Sequence, residues 1–451
     1  MNARKPLPRR RDVLRAAAAG AVALTAIPAR PQAAKRPNIL FFIADDWGRN
    51  HASYFGAKWI NTPAFDRVAR EGVVFSNCFT SNPKCCPSRA TILMGRNTWQ
   101  TKETVNHGSI FPNEFAVYTD VLEKAGYFVG LTGKGWGPGD FKSTGWPHNP
   151  AGREYQKRTL KPPYQGISSR DYAGNFGDFL AERPRNTPFC FWMGPTEPHR
   201  VYEQGSGVRA GKNLADVTVP KYWPDNKAIR SDLLDYALEV EWVDRHHGLA
   251  LQKLEEIGEL DNTLVVVVSD NGASGEGGPN GSFNEWRFFN GIPDTTETTL
   301  PHLDELGTPV SYNHYNTGWA WAFDTPFPYW KRWAGYEGGV ADMCVVSWPA
   351  RIEASAEPRS QYVHAVDVVP TIYELLGITP PAVLKGYTQS PLEGESFAAS
   401  LTDPTAPGKD VQFYTMLGQR SLYHEGWLVC SVHPPLSGWG HFDKDVWELY
   451  H

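Results

Sequence analysis

The hydrophobic pattern along the chain has two periods. Asn38-Ile39-Leu40-Phe41-Phe42-Ile43-Ala44 is a continuous apolar run, as expected for a strand covered on both faces of a parallel sheet, and it stops abruptly at Asp45-Asp46. Thr263–Val268 (TLVVVV) is a second such run, stopping at Ser269-Asp270-Asn271-Gly272. Phe189–Met193 is a shorter one after Pro188. Between these runs the period changes to that of helices. Residues 62–71 (TPAFDRVARE) predict a helix with Thr62 as N-cap and Pro63 at its first position. Residues 229–258 predict a long helix, with Leu234, Ala237, Leu238, Val243 and Leu249 near helical spacing. Ile372–Leu376 predicts a short helix after Pro370. Strands alternating with helices give an α/β fold with a mostly parallel sheet.

Residues 273–325 lack periodicity and are rich in Gly, Asn, Pro and aromatics; the aromatic content favours an ordered loop over a disordered one. After about residue 380 short strands are expected at Val411–Met416, Leu422–Val432 and Trp447–Tyr450, as a small antiparallel sheet. The organisation expected is a leader over 1–34, a catalytic domain over 35–380 and a C-terminal subdomain over 381–451 whose sheet is incomplete and leaves an exposed edge.

The leader is read from Arg9-Arg10-Arg11-Asp12, followed by an apolar run from Ala16 to Ile27 and then small residues and Pro. The run is too short for a membrane span, which needs about 20 residues. It reads as a twin-arginine signal peptide removed near residues 29–34, so the protein is expected to be exported to the periplasm or beyond. No later segment reaches the length of a span, and no stable membrane association is expected. A net charge of −5 over 451 residues, with no basic stripe after the leader, gives no reason to expect nucleic acid as a partner. The six cysteines, Cys78, Cys85, Cys86, Cys190, Cys344 and Cys430, are too few for a disulfide scaffold and form no CxxC pair. Cys85 and Cys86 are adjacent, so a bond between them would be strained, and chemistry explains one of them better than structure does.

In a doubly wound sheet, ligands gather at the carboxyl ends of the strands. Asp45, Asp46, Asp270 and Asn271 are then expected to converge. Three carboxylates in a small space call for a cation, and an all-oxygen set selects a hard one, Ca²⁺ or Mg²⁺. Between these two strand ends lies Cys85-Cys86-Pro87-Ser88-Arg89-Ala90-Thr91-Ile92-Leu93-Met94-Gly95-Arg96. If Pro87 takes the first helical position, Cys85 sits near a helix N-terminus, where N–H groups favour anions such as sulfate. Arg89 would then lie one turn on, able to pair with a metal-ligating carboxylate.

This segment fits C-x-P-S-R-x-x-x-L-x-G, and the chain from Arg36 to about Trp427 resembles the sulfatase family in the order and spacing of Asp45-Asp46, the Cys motif, Gly133-Lys134, Pro198-His199, Asp270-Asn271-Gly272 and Lys331. The resemblance implies an alkaline-phosphatase-like fold: a mixed, mostly parallel sheet flanked by helices, with a small C-terminal antiparallel sheet. It implies that Cys85 is converted to formylglycine by a formylglycine-generating enzyme before the twin-arginine translocase carries the folded protein out. It implies one divalent cation, Ca²⁺ before Mg²⁺, held by Asp45, Asp46, Asp270, Asn271 and the modified residue 85. Lys134 and Lys331 are then expected to bind sulfate oxygens, His199, alone or shared with Lys331, to protonate the leaving group, and Arg89 either to pair with a metal-ligating carboxylate or to hold the modified side chain.

The activity so implied is hydrolysis of a sulfate ester, arylsulfatase-type, with a sulfated small molecule or glycan as partner. The alternatives are an N-sulfoglucosamine sulfohydrolase-like enzyme and, in another class, a non-catalytic sulfoglycan-binding protein. A two-zinc phosphatase of the same superfamily needs a second His/Asp set, which the chain lacks. The chain departs from the family at Trp136, where many sulfatases carry a second catalytic His two residues after the loop Lys. Trp136 is expected to be a pocket wall, with His199 or His107 covering for the missing His. His246 and His247, on the long helix, are expected to be solvated or helix-packing; Glu276, His314 and Asp324 in the long loop have no assigned role.

Overall fold

The computed structural model describes residues 35–433 and 441–451; the expected leader lies outside the described residues. The apolar run after Pro37 is strand β1 (Asn38–Ala44), buried throughout. Helix α1 (Pro63–Glu71) leads into β2 (Val73–Phe79), and α2 (Cys85–Met94) and α3 (Tyr118–Lys124) precede β3 (Phe128–Gly133). Then come the short β4 (Arg153–Glu154), α4 (Tyr172–Glu182), β5 (Phe189–Gly194), the 30-residue α5 (Lys227–Glu256) and β6 (Thr263–Ser269). The domain continues with α6 (Thr317–Asp324), β7 (Ala341–Ser347), β8 (Arg359–His364) and α7 (Val368–Leu376).

The eight strands form one sheet in the order β8-β2-β7-β6-β1-β5-β3-β4. All neighbours are parallel except β7, which runs antiparallel to both β2 and β6. The sheet is therefore mixed and mostly parallel, as expected. Alternation along β1 shows how it is covered. Ile39, Phe41 and Ile43 point to a layer with Ile92, Leu93, Val121, Leu122 and Ile372 from α2, α3 and α7. Leu40, Phe42 and Ala44 point to the opposite layer with Phe65, Phe176, Leu234 and Leu251 from α1, α4 and α5. A strand buried on both sides has no polar face, which is why it reads as an unbroken apolar run. None of the described helices is long and apolar enough to cross a membrane.

Several local expectations change. Thr62 stands at the N-cap of α1 but its side chain makes no cap bond. The N–H groups of Ala64 and Phe65 instead donate to the Asp244 carboxylate of α5, at 2.9 and 2.7 Å. The cap is tertiary, so it fixes α1 against α5. Helix α2 begins at Cys85, which puts Pro87 third in the helix, not first. Leu249, at 37% exposure, falls off the buried stripe of α5. His246 and His247 are buried; His247 stacks on Phe42 at 4.3 Å and His246 packs edge-on to Tyr172 at 5.3 Å. The non-periodic stretch 273–325 is ordered and contains α6, capped by Asn316, whose side chain accepts from Trp319 N–H at 3.1 Å.

The C-terminal part is a four-stranded antiparallel sheet, β9 (Val411–Met416), β10 (Gln419–His424), β11 (Trp427–Val432) and β12 (Val446–Tyr450), in sequential order. The expected single strand over Leu422–Val432 is two. It turns at Glu425-Gly426, both at positive φ (46° and 89°), the geometry of a two-residue hairpin turn. The sheet packs through Tyr414 and Met416 on Phe79, Ala341 and Tyr362 of the main sheet.

Candidate active site

The carboxyl ends of β1 and β6 lie side by side, because Ala44 and Ser269 are paired in register. Asp45, Asp46, Asp270 and Asn271 therefore emerge together, all buried. Asp46 sits at φ 63°, a left-handed conformation that a non-glycine residue adopts at a cost. Its N–H donates to Asp270 Oδ1 at 3.2 Å, which ties the two strand ends.

Cys85, first residue of α2, presents its thiol to this cluster. Sγ is 3.2 Å from Asp45 Oδ1 and 4.0 Å from Asp46 Oδ1. Ligand atoms of Asp45, Asp46, Cys85 and Asp270 lie within 4.8 Å of one another. One turn into α2, Arg89 is fully buried, and its Nε donates to Asp270 Oδ2 at 2.7 Å. Its Nη1 donates to the carbonyls of Lys134 and Gly135 at 2.6 and 3.2 Å. Arg89 thus orients a carboxylate and also the loop that carries Lys134.

Lys134 follows β3. Gly133 has φ 80°, and a Cβ there would lie 1.9 Å from the Gly194 carbonyl oxygen, so only glycine allows β3 and β5 to end this close together. Lys134 Nζ donates to both Asp45 oxygens at 2.8 and 2.7 Å. Lys331 arrives from the other side on a loop with positive φ at Tyr329 and Arg332. Its backbone N–H donates to Ala273 O at 3.0 Å, and the next N–H to Pro83 O at 2.8 Å, pinning the loop to both motif segments. Lys331 Nζ, fully buried, donates to Asp46 at 2.9 and 3.2 Å and to Cys85 Sγ at 3.2 Å. His199 Nε2 is 3.7 Å from Asp46 Oδ2, and its Nδ1 lies 3.0 Å from Arg200 O. All nine residues singled out in the sequence are thus within one site.

The electrostatics follow from this crowding. Burial disfavours the Asp45 carboxylate, but Lys134, Arg89, His199 and Lys331 outweigh it and hold Asp45 well below the usual range. Asp270 goes the other way. Burial, with repulsion from Asp45 and Asp46, pushes it up to about 6 in spite of Arg89. Anionic crowding of this kind is what a cation relieves. The Cys85 thiol is pushed well up by burial and by Asp270 and Asp45, so at neutral pH it is protonated and a poor nucleophile. Burial opposes a charged His199, but Asp46 and Asp45 reverse that and raise its pKa.

A divalent cation fits these residues. Asn271 Oδ1 is buried without a hydrogen-bond partner in the structure, an acceptor facing no donor. Together with three carboxylates it makes an all-oxygen set suited to a hard cation.

The site opens into a cleft of about 740 Å³. Its walls include residues the sequence did not single out: Lys84, Glu276, Glu285, Trp286 and Tyr312. Glu276, unassigned before, accepts from Ser274 Oγ at 3.0 Å and lies 3.7 Å from both Lys84 and Lys331. His107 also lines the cleft. Trp136 does not form the wall expected of it. It is 3% exposed and packs edge-on against Phe111 at 5.0 Å, while Gly137 and Pro138 reach the cleft in its place. Its apolar ring is worth more in the core layer beneath α2 than facing water. His314 is buried against Tyr315, and Asp324 accepts from Ala273 N–H at 2.8 Å; both support the loops behind the site.

The family model described as Sulfatase matches residues 37–378. The chain belongs to the sulfatase family. Enzymes of this family hydrolyse sulfate esters with a divalent metal and a formylglycine. The arylsulfatase of Klebsiella aerogenes is 24% identical over 439 residues, covering 81% of this chain and 92% of that protein. Human N-sulphoglucosamine sulphohydrolase is 29% identical over 266 residues, covering 53% of this chain and 51% of that one. Among solved structures, a protein in complex with its substrate D-glucosamine-2-N,6-O-disulfate superposes with a TM-score of 0.63 at 20% identity, over 92% of this chain and 91% of that one. That likeness bears out the alkaline-phosphatase-like fold.

Proposed function

We propose that this sulfatase hydrolyses a sulfate ester carried on a ring, of the arylsulfatase type, using a formylglycine made from Cys85. The observation that carries the reading is the placement of Cys85. It stands at the N-terminus of α2, 3.2 Å from a carboxylate oxygen of Asp45 and 3.2 Å from the Lys331 ammonium. Asp45, Asp46, Asp270, Asn271 and the modified side chain would hold the cation, Ca²⁺ before Mg²⁺, which would supply Lewis-acid stabilisation. Formylglycine, once hydrated, supplies an oxygen nucleophile where the buried thiol offers none.

The chain's own residues do the rest. Lys134 and Lys331 bring two ammonium groups to where sulfate oxygens gain charge. His199, whose pKa Asp46 and Asp45 raise against the effect of burial, gives a proton to the leaving oxygen. Arg89 holds Asp270 and, through two carbonyls, the Lys134 loop. Trp286 and Tyr312, 62% and 44% exposed at the cleft, offer apolar faces to an aryl or sugar ring. The likeness to human N-sulphoglucosamine sulphohydrolase supports a second reading, cleavage of an N-sulfated glucosamine. The twin-arginine pattern of the leader supports export to the periplasm or beyond.

The test is mass spectrometry of the tryptic peptide holding residues 85–89, together with sulfate release from a chromogenic aryl sulfate and, in parallel, from N-sulfoglucosamine. The expected result is an aldehyde at residue 85, oxygen in place of sulfur with two hydrogens lost, together with release from the aryl sulfate. Cys85→Ala should abolish turnover and Cys86→Ala should keep most of it, since Cys86 points into the core layer with Ala90 and Leu93. A folded Cys86→Ala without activity beside an active Cys85→Ala would overturn the assignment. An unmodified Cys85 and no turnover of any sulfate would leave a sulfoglycan-binding protein.

A further inference from the structure

Among the described residues, five histidines leave Nε2 buried without a hydrogen-bond partner: His107, His246, His247, His314 and His364. Four have an aromatic ring close by. His246 lies against Trp242, His247 on Phe42, His314 against Tyr315 and His364 against Tyr414. His107 is different, because it lines the cleft that holds Cys85 and Lys134. An unpartnered ring nitrogen in a packed layer is a tolerated cost; one on a residue that lines a substrate cleft is an open hydrogen-bonding position.

The segment carrying His107 is held firmly. Gly108 N–H donates to Pro138 O at 2.9 Å, and Ser109 and Ile110 pair in register with Gly139 and Asp140. Asn106 Oδ1 accepts from His107 N–H at 2.9 Å and from Lys84 Nζ at 3.3 Å. The backbone carrying the ring is therefore tied to the Pro138-to-Asp140 segment on one side and, through Asn106, to the residue before Cys85 on the other. Its surroundings are mostly cationic. Burial and the Lys84 ammonium push its pKa well down, with Lys331 and Lys134 acting the same way and Glu276 opposing them. At neutral pH the ring is uncharged, with one N–H to give. A neutral donor set among three ammonium groups calls for an anionic acceptor, and the cleft is built to receive one.

We propose that His107, through Nε2–H, donates a hydrogen bond to an oxygen of the bound sulfate group, a further substrate-binding residue beside Lys134 and Lys331; this rests on the sulfatase reading above. The two cleft histidines then divide the work. His199, 3.7 Å from Asp46, acts on the leaving group. His107, kept neutral first by burial and then by the nearby ammonium groups, acts on the sulfate. Trp136, buried, takes no part.

The experiment measures inorganic sulfate binding by calorimetry on the metal-loaded protein at pH 7.5, for wild type, His107→Ala and His107→Gln. A hydrogen bond to a charged group lost from a buried position weakens binding about 10–100-fold, so His107→Ala should lose sulfate affinity by that factor. His107→Gln, which keeps an N–H donor, should recover most of it. Turnover of a series of aryl sulfates supplies the second readout. His107→Ala should lower kcat/KM by a similar factor across the series, whereas His199→Ala should lose more as the leaving group becomes more basic. The proposal is overturned if His107→Ala binds sulfate as wild type does, if His107→Gln is as impaired as His107→Ala, or if the loss in His107→Ala grows with leaving-group pKa. Sulfate binding that follows the expected pattern in a protein with no turnover would sustain His107 and sink the hydrolytic reading instead.

Discussion

Lys331 is the residue whose removal asks most of the site. It is fully buried, with its ammonium 2.9 and 3.2 Å from the Asp46 oxygens, 3.2 Å from Cys85 Sγ and 3.7 Å from Glu276. Lys331→Met keeps the length and volume of the stem and deletes only the charge. Breaking a buried ion pair by removing one partner costs about 3–5 kcal/mol, since the other charge stays buried. Asp46 keeps the Asn271 amide at 2.5 Å, and Glu276 keeps Ser274, so the lower end of that range is expected here, about 3 kcal/mol. Loss of one preorganised donor to developing charge should lower kcat/KM by about 10²–10³. The two effects respond differently to metal. A divalent cation at Asp46 offsets part of the uncompensated charge, so adding Ca²⁺ to chelator-treated protein should raise the melting temperature of Lys331→Met more than that of wild type. It should not restore kcat/KM, because the missing contact is to substrate. Thermal denaturation with and without Ca²⁺, beside kcat/KM on an aryl sulfate, reads both. The reasoning fails if the variant keeps kcat/KM within about tenfold of wild type, short of the range for a lost donor, or if Ca²⁺ stabilises both proteins equally.

Chelation of metal-loaded wild type should lower the melting temperature and stop turnover, with Ca²⁺ or Mg²⁺ restoring both; an unchanged melting temperature in protein shown to have lost its metal counts against the Asp45, Asp46, Asp270 and Asn271 site. Trp136→His should cost roughly 3 kcal/mol by emptying the space against Phe111. It should not shift the ratio of sugar-sulfate to aryl-sulfate turnover, and a shift toward the sugar would mean that position 136 reaches the cleft after all. His247, buried on Phe42 with its pKa pushed down to about 3 by burial alone, is neutral in the folded protein and charged below about 6.5 when unfolded. Its contribution is therefore present above pH 6.5 and is lost as pH falls from there toward 3, about 2 kcal/mol at pH 5. In urea titrations at pH 8 and pH 5, His247→Phe should gain about that much relative to wild type between the two pH values, any packing penalty cancelling in the difference; equal differences at both would refute the assigned environment.

What the sequence disclosed follows from where each signal is stored. β1 and β6 are covered on both faces, so their apolar runs and the acidic residues that end them are local facts. The register of Ala44 with Ser269 then brings Asp45 and Asp270 together without further information. The Cys85 motif is equally local. By contrast, β2 (VVFSNCF) and β7 (ADMCVVS) were not anticipated, because Ser, Asn and Asp interrupt their patterns where the strands meet loops and one another. Helix α6 was hidden by the composition of its surroundings. The cleft walls were harder still. Lys84 stands just before α2 while Glu276 and Trp286 belong to the stretch 273–325, and only the folded sheet decides which of their side chains face the same space. Trp136 shows the same limit from the other side: position in the motif suggested the cleft, and packing against Phe111 decided for the core.

The charges of the site explain why both a cation and an anion suit it. Around Cys85 stand four carboxylates, Asp45, Asp46, Asp270 and Glu276, and four basic side chains, Lys84, Arg89, Lys134 and Lys331, a formal sum of zero with His199 left out of the count. The distribution is uneven, however. Three of the carboxylates meet at the ends of β1 and β6, which leaves Asp270 with its pKa raised to about 6. Lys84 and His107, by contrast, line the cleft. A divalent cation among the carboxylates turns the neutral sum positive, and an anionic sulfate ester in the cleft brings it back toward balance. Each ligand then improves the electrostatics for the other, and by linkage the coupling is reciprocal: whatever factor the cation adds to sulfate affinity, sulfate adds to cation affinity. The lysines are held at the site by ion pairs to Asp45 and Asp46, and a cation that takes these carboxylates leaves the two ammonium groups to the sulfate.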